Sequence, residues 1–476
     1  MVQITGFFSK NHNVIYITKI NLKLSVFLQS LKSYIMKTLF PVITLFFTSI
    51  IFAQSSLLQS GPMVGYSTMK EALLWVQTTD EAEVYATYSS LSNNEIIYKT
   101  NTVHTSKDKG YVAHLIADEL EPNQIYSYDI YINDQKIERP YPLKFQSQPL
   151  WKWRGDAPDF SFVTGSCAYI NEPVYDRPGT PYGSDYQIFT HISNSQPNFM
   201  LWLGDNVYLR EADWNSKTGI LHRYTHTRSL PELQPLWGSV HQYGIWDDHD
   251  YGPNNSDRSY HMKDVTNDVF RLFFPSSNYT FDQGITSYFQ WADCDFFLLD
   301  NRFWRSPNNR HDIENPTVLG EEQLQWLIDA LSFSEATFKF VAMGGQFLNP
   351  LDEGEKYIHL APEERQYIID AIAKNKISGV IFLTGDVHHT ELSKLTSEDT
   401  YPLYDLTVSP FTSGVSSWHA NDNALQIPNT LVIDHTFAKM SISGPIKDRK
   451  LTISIINDDN QLQWQYEIKA NDLKLD

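Results

Sequence analysis

The apolar positions of this chain follow two rhythms in succession. Between residues 57 and 148 they form short runs rich in β-branched and aromatic residues, at Ala72–Gln77, Ala82–Tyr88, Tyr111–Ile116 and Ile125–Ile132, with turn-forming residues between them. No helical period intervenes, so this stretch predicts a β-sandwich. A linker containing Trp and Pro, Pro149 to Pro158, ends that pattern. Continuous apolar runs follow at Phe160–Val163, Phe199–Leu203, Gly244–Trp246, Phe296–Leu299, Phe338–Met343 and Val380–Thr384. Runs of this kind predict buried strands. Helical stretches at 320–328 and 361–369 lie between them, the second opening with Pro362, Glu363 and Glu364 as helix starts prefer. Strands alternating with helices predict an α/β domain over 155–470. The segment from Trp291 to Phe296 reads as strand, and the tail from Leu451 to Ile468 is expected to close a sheet edge.

Two of the buried runs stop at Gly-Asp. One leads into Gly204-Asp205-Asn206-Val207-Tyr208, the other into Gly385-Asp386-Val387-His388-His389. Ligands of α/β sheets sit just beyond the C-terminal ends of strands. Gathering such ends gives Cys167; Asp205 and Tyr208; Asp247, Asp248, His249 and Asp250; Asp300 and Arg302; and Asp386, His388 and His389. One strand-end Asp is usually a cap or a turn former. So many carboxylates on one sheet edge repel one another unless cations lie between them. The pattern therefore predicts a metal site.

With 476 residues, 42% apolar and 20% charged, the chain is sized for two domains or more and composed for a folded protein. A net charge of -19 argues against a basic nucleic-acid-binding face or an anionic-membrane face. The N-terminal region adds a processing signal. Met36-Lys37, an apolar stretch from Leu39 to Phe52 and then Ala53 read as a signal peptide over 36–53, with residues 1–35 an upstream extension. The apolar stretch is short for a membrane span of about 20 residues. The expectation is export to the periplasm or beyond, with no membrane anchor after cleavage. The two cysteines, Cys167 and Cys294, would form one disulfide by the default for an exported protein.

In order and spacing, Gly165-Ser166-Cys167, Gly204–Tyr208, Trp246–Gly252, Leu299-Asp300-Asn301-Arg302 and Gly385–His389 resemble the motifs of calcineurin-like metallophosphoesterases, in particular the PhoD-like alkaline phosphatase and phosphodiesterase branch. Leu120–Tyr128 also resembles the E–F corner of fibronectin type III domains, where a Tyr closes the corner. The resemblance implies a four-layer αββα catalytic sandwich preceded by a fibronectin III/Ig-like β-sandwich. It implies a first metal held by Cys167, Asp205, Tyr208 and His388, and a second held by Asp205, Asp248 and Asp386. Thiolate, phenolate, imidazole and carboxylate together suit Fe(III). The all-oxygen second set suits Ca²⁺, or Mg²⁺ or Mn²⁺. A His that the superfamily supplies near Val341 is missing, and Gln346 or a water is expected to take its place. Cys167 as a thiolate ligand competes with its use in a disulfide.

The implied reaction is in-line attack of hydroxide on a phosphomonoester or phosphodiester, between two cations about 3.5–4 Å apart. His249 is expected to protonate the leaving oxygen or to donate to the phosphate, with Asp250 orienting its ring. Arg302 and His389 are expected to neutralise phosphate charge, although Arg302 has a competing use in a salt bridge. His222, His226 and His241 read as surface or packing residues of a helical or loop region without metal spacing. The expected protein is thus a secreted, monomeric phosphoric ester hydrolase of alkaline phosphatase D type. A phospholipase D-like or other phosphodiesterase activity, and an inactive secreted binding protein, are the alternatives.

Overall fold

Continuous apolar runs became strands covered on both faces, and alternating runs became strands covered on one. Phe199–Leu203, Phe338–Ala342 and Val380–Thr384 are buried at every position, as parallel strands between helices and a second sheet must be. Glu83–Ser90, Ile125–Ile132 and Lys450–Asn457 alternate between buried and partly open positions. The computed structural model describes residues 57–475, and the expected signal peptide and upstream extension lie outside them. Among the described residues no helix is long and apolar enough to cross a membrane.

The α/β segment holds two six-stranded sheets. In the first, Phe160–Gly165, Phe199–Leu203 and His241–Ile245 run parallel. The antiparallel strands Thr436–Ser443, Lys450–Asn457 and Leu462–Lys469 extend it to an edge, as expected of the tail. In the second, Cys294–Leu298, Phe338–Ala342, Val380–Thr384 and Leu403–Thr407 are parallel. The sheets meet through interlocked rings. Phe162 and Phe199 of the first stand edge-on to Phe296 of the second at 5.3 and 5.2 Å, a geometry aromatic quadrupoles favour. The alternate positions face outward, Trp202 onto Phe189 of helix Gln187–Asn194 and Phe297 onto Trp326 of helix Glu321–Phe333.

The strand expected across Trp291–Phe296 is instead a hairpin. Trp291 pairs with Cys294, and Ala292, at φ 51°, turns the chain between Ser287–Trp291 and Cys294–Leu298. Trp291, Cys294 and Phe296 are all buried and only Ala292 and Asp293 separate the two arms, so no glycine or proline marks the turn in the sequence.

The N-terminal segment forms two antiparallel sheets. Leu58–Ser67, Ala72–Thr78 and Val112–Ala117 make one; Glu83–Ser90, Asn93–Lys99, Ile125–Ile132 and Gln135–Ile137 are the main strands of the other. They share a core that includes Val64, Leu74 and Leu115 from the first and Val84, Tyr128 and Ile130 from the second. Tyr126 Oη accepts the Glu121 N–H at 2.7 Å, so a tyrosine does close the corner picked out in the sequence.

Candidate metal centre

The parallel strands of both sheets deliver their C-terminal loops to one edge. Phe160–Gly165 leads to Cys167, Phe199–Leu203 to Asp205 and Tyr208, His241–Ile245 to Asp247 through Asp250, and Val380–Thr384 to Asp386 and His388. The two sheets meet here, with Cys167 Sγ 3.8 Å from the Asp386 carbonyl oxygen. Cys167, Asp205, Asp386 and His388 all lie in the left-handed region, at φ 63°, 51°, 72° and 61°. Non-glycine residues held there cost about 1–3 kcal/mol each and concentrate at functional sites. Gly204, at φ 97°, lets two loops touch, since a Cβ on it would fall 2.6 Å from Asp247 Cβ.

Three overlapping groups result. Single ligand atoms of Cys167, Asp205 and His388 lie within 4.8 Å of one another, as do those of Asp205, Asp248 and His249, and those of Asp247, Asp248 and Asp386. Tyr208 joins the first group, its Oη 3.2 Å from His388 Nε2. Ser409 Oγ donates to Cys167 Sγ at 3.2 Å, and both cysteines are free and buried. The disulfide alternative is thereby removed. Asp205 and Asp248 each belong to two groups.

The electrostatics fit bound cations. Burial, then the neighbouring Asp248 and Cys167, push the Asp205 carboxyl well above the usual range. Burial, then Asp247 and Glu355, do the same to Asp386. Burial raises the Cys167 thiol to about 12 and Asp247 to about 6, the latter held back by Arg302. Asp247 Oδ2 and Asp248 Oδ1 are buried with no hydrogen-bond partner. Asp248 Oδ1 has only the Arg302 guanidinium, 3.8 Å away; buried carboxylate oxygens without hydrogen bonds are costly, and a cation would satisfy them and relieve the repulsion together. The donor set of thiol, phenol, imidazole and carboxylates on one side, and carboxylates on the other, fits a pair of metal ions.

Three of the expected catalytic residues have other work. The Asp250 carboxylate does not orient His249. Oδ1 accepts the Asn206 and Val207 N–H groups at 3.0 and 3.2 Å, and Oδ2 accepts the Asp247 N–H at 2.9 Å. Arg302 is fully buried with its fork already taken, Nε donating to Asp247 at 2.6 Å and Nη2 to Glu355 at 2.6 Å. It has no hand free for phosphate. Its salt bridges go to these residues and, at 3.8 Å, to Asp248, whereas the Asp300 side chain accepts backbone N–H groups of Arg302 and Phe303 and the Trp246 indole N–H. His389 is buried outside the three groups, and burial lowers its pKa to about 4. A neutral ring offers phosphate no charge. Gln346 does not fill the gap left by the missing His either, because its amide bonds Glu391, Thr407 and Asn349.

His249 does face the centre. Its backbone N–H donates to Asp205 Oδ1 at 3.2 Å and its ring lies 4.3 Å from that of Tyr208. Among the unexpected participants, Tyr182 Oη and Ser413 Oγ flank the His388 ring at 3.2 and 3.3 Å. Glu355, despite burial, is held well below the carboxylate range by Arg302 and Arg305. No strand-end pattern marks these residues. A fourth group, Asp434, His435 and Asp458, stands apart and half-buried, and Asn457 and the Ser413 carbonyl already bond it.

A family model described as PhoD-like phosphatase matches residues 162–438, and another, described as a domain of unknown function, matches residues 55–150. Alkaline phosphatase D of Bacillus subtilis (strain 168) is 22% identical over 352 residues, covering 63% of this chain and 57% of that protein. The chain thus matches little more than half of that relative's length. A solved structure described as that of PhoD superposes with a TM-score of 0.70 at 17% identity, covering 87% of this chain and 92% of the other. A purple acid phosphatase from yellow lupin (Lupinus luteus) seeds gives 0.64 at 14% identity, covering 86% and 74%. Both likenesses concern the fold.

Proposed function

We propose, for a chain that belongs to the PhoD-like phosphatase family, that it hydrolyses phosphoric esters at the cluster of strand-end ligands. The observation that carries this reading is the set of three ligand groups sharing Asp205 and Asp248. Cys167, Asp205, Tyr208 and His388 would hold one ion, of the Fe(III) kind. Asp205, Asp248 and Asp386 would hold a second, of the Ca²⁺, Mg²⁺ or Mn²⁺ kind, with Asp247 beside it. When bound, two such cations supply a nucleophilic hydroxide and neutralise the phosphate. His249, half-buried against Tyr208, delivers a proton to the leaving oxygen. Arg302 and Glu355 hold Asp247 in place. In this reading the two face-to-face sheets are the inner layers of an αββα sandwich, the N-terminal sheets a fibronectin III-like module, and the protein is exported.

The deciding experiment is metal analysis of periplasmically expressed protein, with parallel assays on p-nitrophenyl phosphate and bis-p-nitrophenyl phosphate. Turnover of either is expected; metal-replete protein inert to both sinks the reading. His249→Ala should keep both metals and lose about 10²–10⁴ in turnover. Because a His249 ring nitrogen lies within ligand reach of Asp205 and Asp248, loss of one metal equivalent in that variant would make it a ligand instead.

A further inference from the structure

The cleft that opens onto Asp386 and His388 has another wall, which the ligand groups leave unused. Asn255, Lys356 and Trp418 help to line it. Lys356 is only 3% exposed. Yet among the described residues its Nζ makes no hydrogen bond and no ion pair within 4.0 Å; it lies over the Trp418 ring, 5.1 Å to the centroid, and faces the carboxylates of Asp386, Glu353, Glu391 and Asp422 only from farther off. The stem of Lys356 is buried and its Nζ opens on the cleft, as long basic side chains tend to be arranged. The backbone at this point is fixed on both sides. Glu355 is gripped by Arg302 at 2.6 Å, and the Tyr357 N–H donates to the Gln346 carbonyl at 3.0 Å. Trp418 is 56% exposed, and its loop is tied to the ligand loop, the Ser416 N–H donating to the His388 carbonyl at 2.9 Å. An unpaired cation and an open aromatic face therefore stand side by side at the mouth of the metal centre. Neither helps to hold a metal ion, since an ammonium repels one. Both suit an anion that carries a ring.

We propose that Lys356 Nζ donates to a non-bridging oxygen of the bound phosphoryl group while the Trp418 ring stacks on a planar leaving group. The substrate class is then aryl or nucleoside phosphate esters in preference to alkyl ones. This inference rests on the phosphoesterase reading above. An ammonium has three donors and no acceptor, and its charge-assisted bonds to phosphate are short and strong. Stacking on an aromatic face tolerates any flat ring.

The test reads binding rather than turnover, using phenylphosphonate and methylphosphonate, whose C–P bonds replace the scissile ester. Calorimetry on the metal-replete full chain should show both binding, phenylphosphonate the tighter. Lys356→Met should weaken both by about tenfold, the scale of one charge-assisted hydrogen bond, and Lys356→Arg should recover most of the loss. Trp418→Ala should remove only the preference for the phenyl group. Metal content and melting temperature, measured on each variant, separate these effects from misfolding. Wild-type affinity in a fully metallated Lys356→Met protein overturns the proposal, as does a wild type that binds neither phosphonate or shows no phenyl preference. A wild type that binds in the expected pattern but hydrolyses no ester keeps the paired phosphoryl and ring site but removes the hydrolase reading, and with it the assignment of an ester substrate.

Discussion

Cys167 is held where neither water nor a second thiol reaches it. It is wholly buried, 3.2 Å from the Ser409 hydroxyl, with Asp205 Oδ2 at 3.7 Å. Burial, aided by the Asp386 carboxylate and opposed by hydrogen bonds from Ser166 and Ser409, pushes its thiol to about 12, and a thiol raised in this way is inert. A metal ion reverses that logic by taking the thiolate directly. Tyr208 stands in the same position, its phenol pushed well above the ordinary value by burial and then by Asp205 and Cys167. If both ligate Fe(III), the loaded protein absorbs in the visible through tyrosinate-to-iron charge transfer. Tyr208→Phe should abolish the band, with iron still present by metal analysis. Survival of the band in that variant would assign it to another group, and a colourless iron-loaded wild type would exclude phenolate ligation.

Among the elements, the Trp246–Asp250 turn shows most plainly what a sequence reveals and what it conceals. The placing of four polar residues at a strand end was legible from the short run Gly244–Trp246, but the strand's earlier part was not, because His241 and Gln242, both buried in it, break the apolar run. The division of labour among the four was not legible either. Asp247 accepts from Arg302 and Asn301. Asp248 faces the centre, and His249 packs on Tyr208. Asp250 turns back to cap its own short helix and to hold the Asn206 loop. Which carboxylate meets a metal and which meets backbone N–H groups depends on side-chain direction, which residue type and spacing leave open. Asp300 was likewise indistinguishable from a ligand, and the Arg302–Glu355 pair joins residues with no common motif. Asp250→Asn tests the assignment. It turns one acceptor into a donor facing N–H groups, so stability should fall by about 1–3 kcal/mol in chemical denaturation. Because Asp250 holds the Asn206 loop, metal occupancy should fall with it. Were Asp250 instead the partner of the His249 ring, stability and metal content would stay near wild type and only the pH dependence of turnover would move.

At the scale of the molecule, the N-terminal sheets and the α/β body are joined by hydrogen bonds that bury polar groups of both. The Trp75 indole donates to the Leu272 carbonyl at 3.0 Å, the Ser67 N–H to Tyr243 Oη at 3.0 Å, and the Gly61 N–H to Gln234 Oε1 at 3.0 Å. His241, 1% exposed, sits among them. Its Nδ1 lies 2.8 Å from the Gly65 carbonyl oxygen and its Nε2 3.1 Å from the Gln146 N–H. Those two partners require a neutral ring, with Nδ1 donating and Nε2 accepting. Protonation would set two N–H groups against each other, and burial lowers the pKa from 6.5 to about 4. The unfolded chain therefore takes up this proton first as pH falls, so stability drops between pH 6.5 and 4 and levels off below. A shift of that size corresponds to roughly 3 kcal/mol. Asp250, raised to about 7, and Asp247, raised to about 6, act in the opposite sense, because the folded state binds their protons first. They are common to wild type and to His241→Gln and cancel in the difference between the two. Melting curves from pH 7 to pH 4 should show His241→Gln less stable at pH 7 and losing less on acidification, the gap closing by about 3 kcal/mol across that window. Parallel curves would mean that another group governs the acid response and that the junction holds whatever the charge on His241.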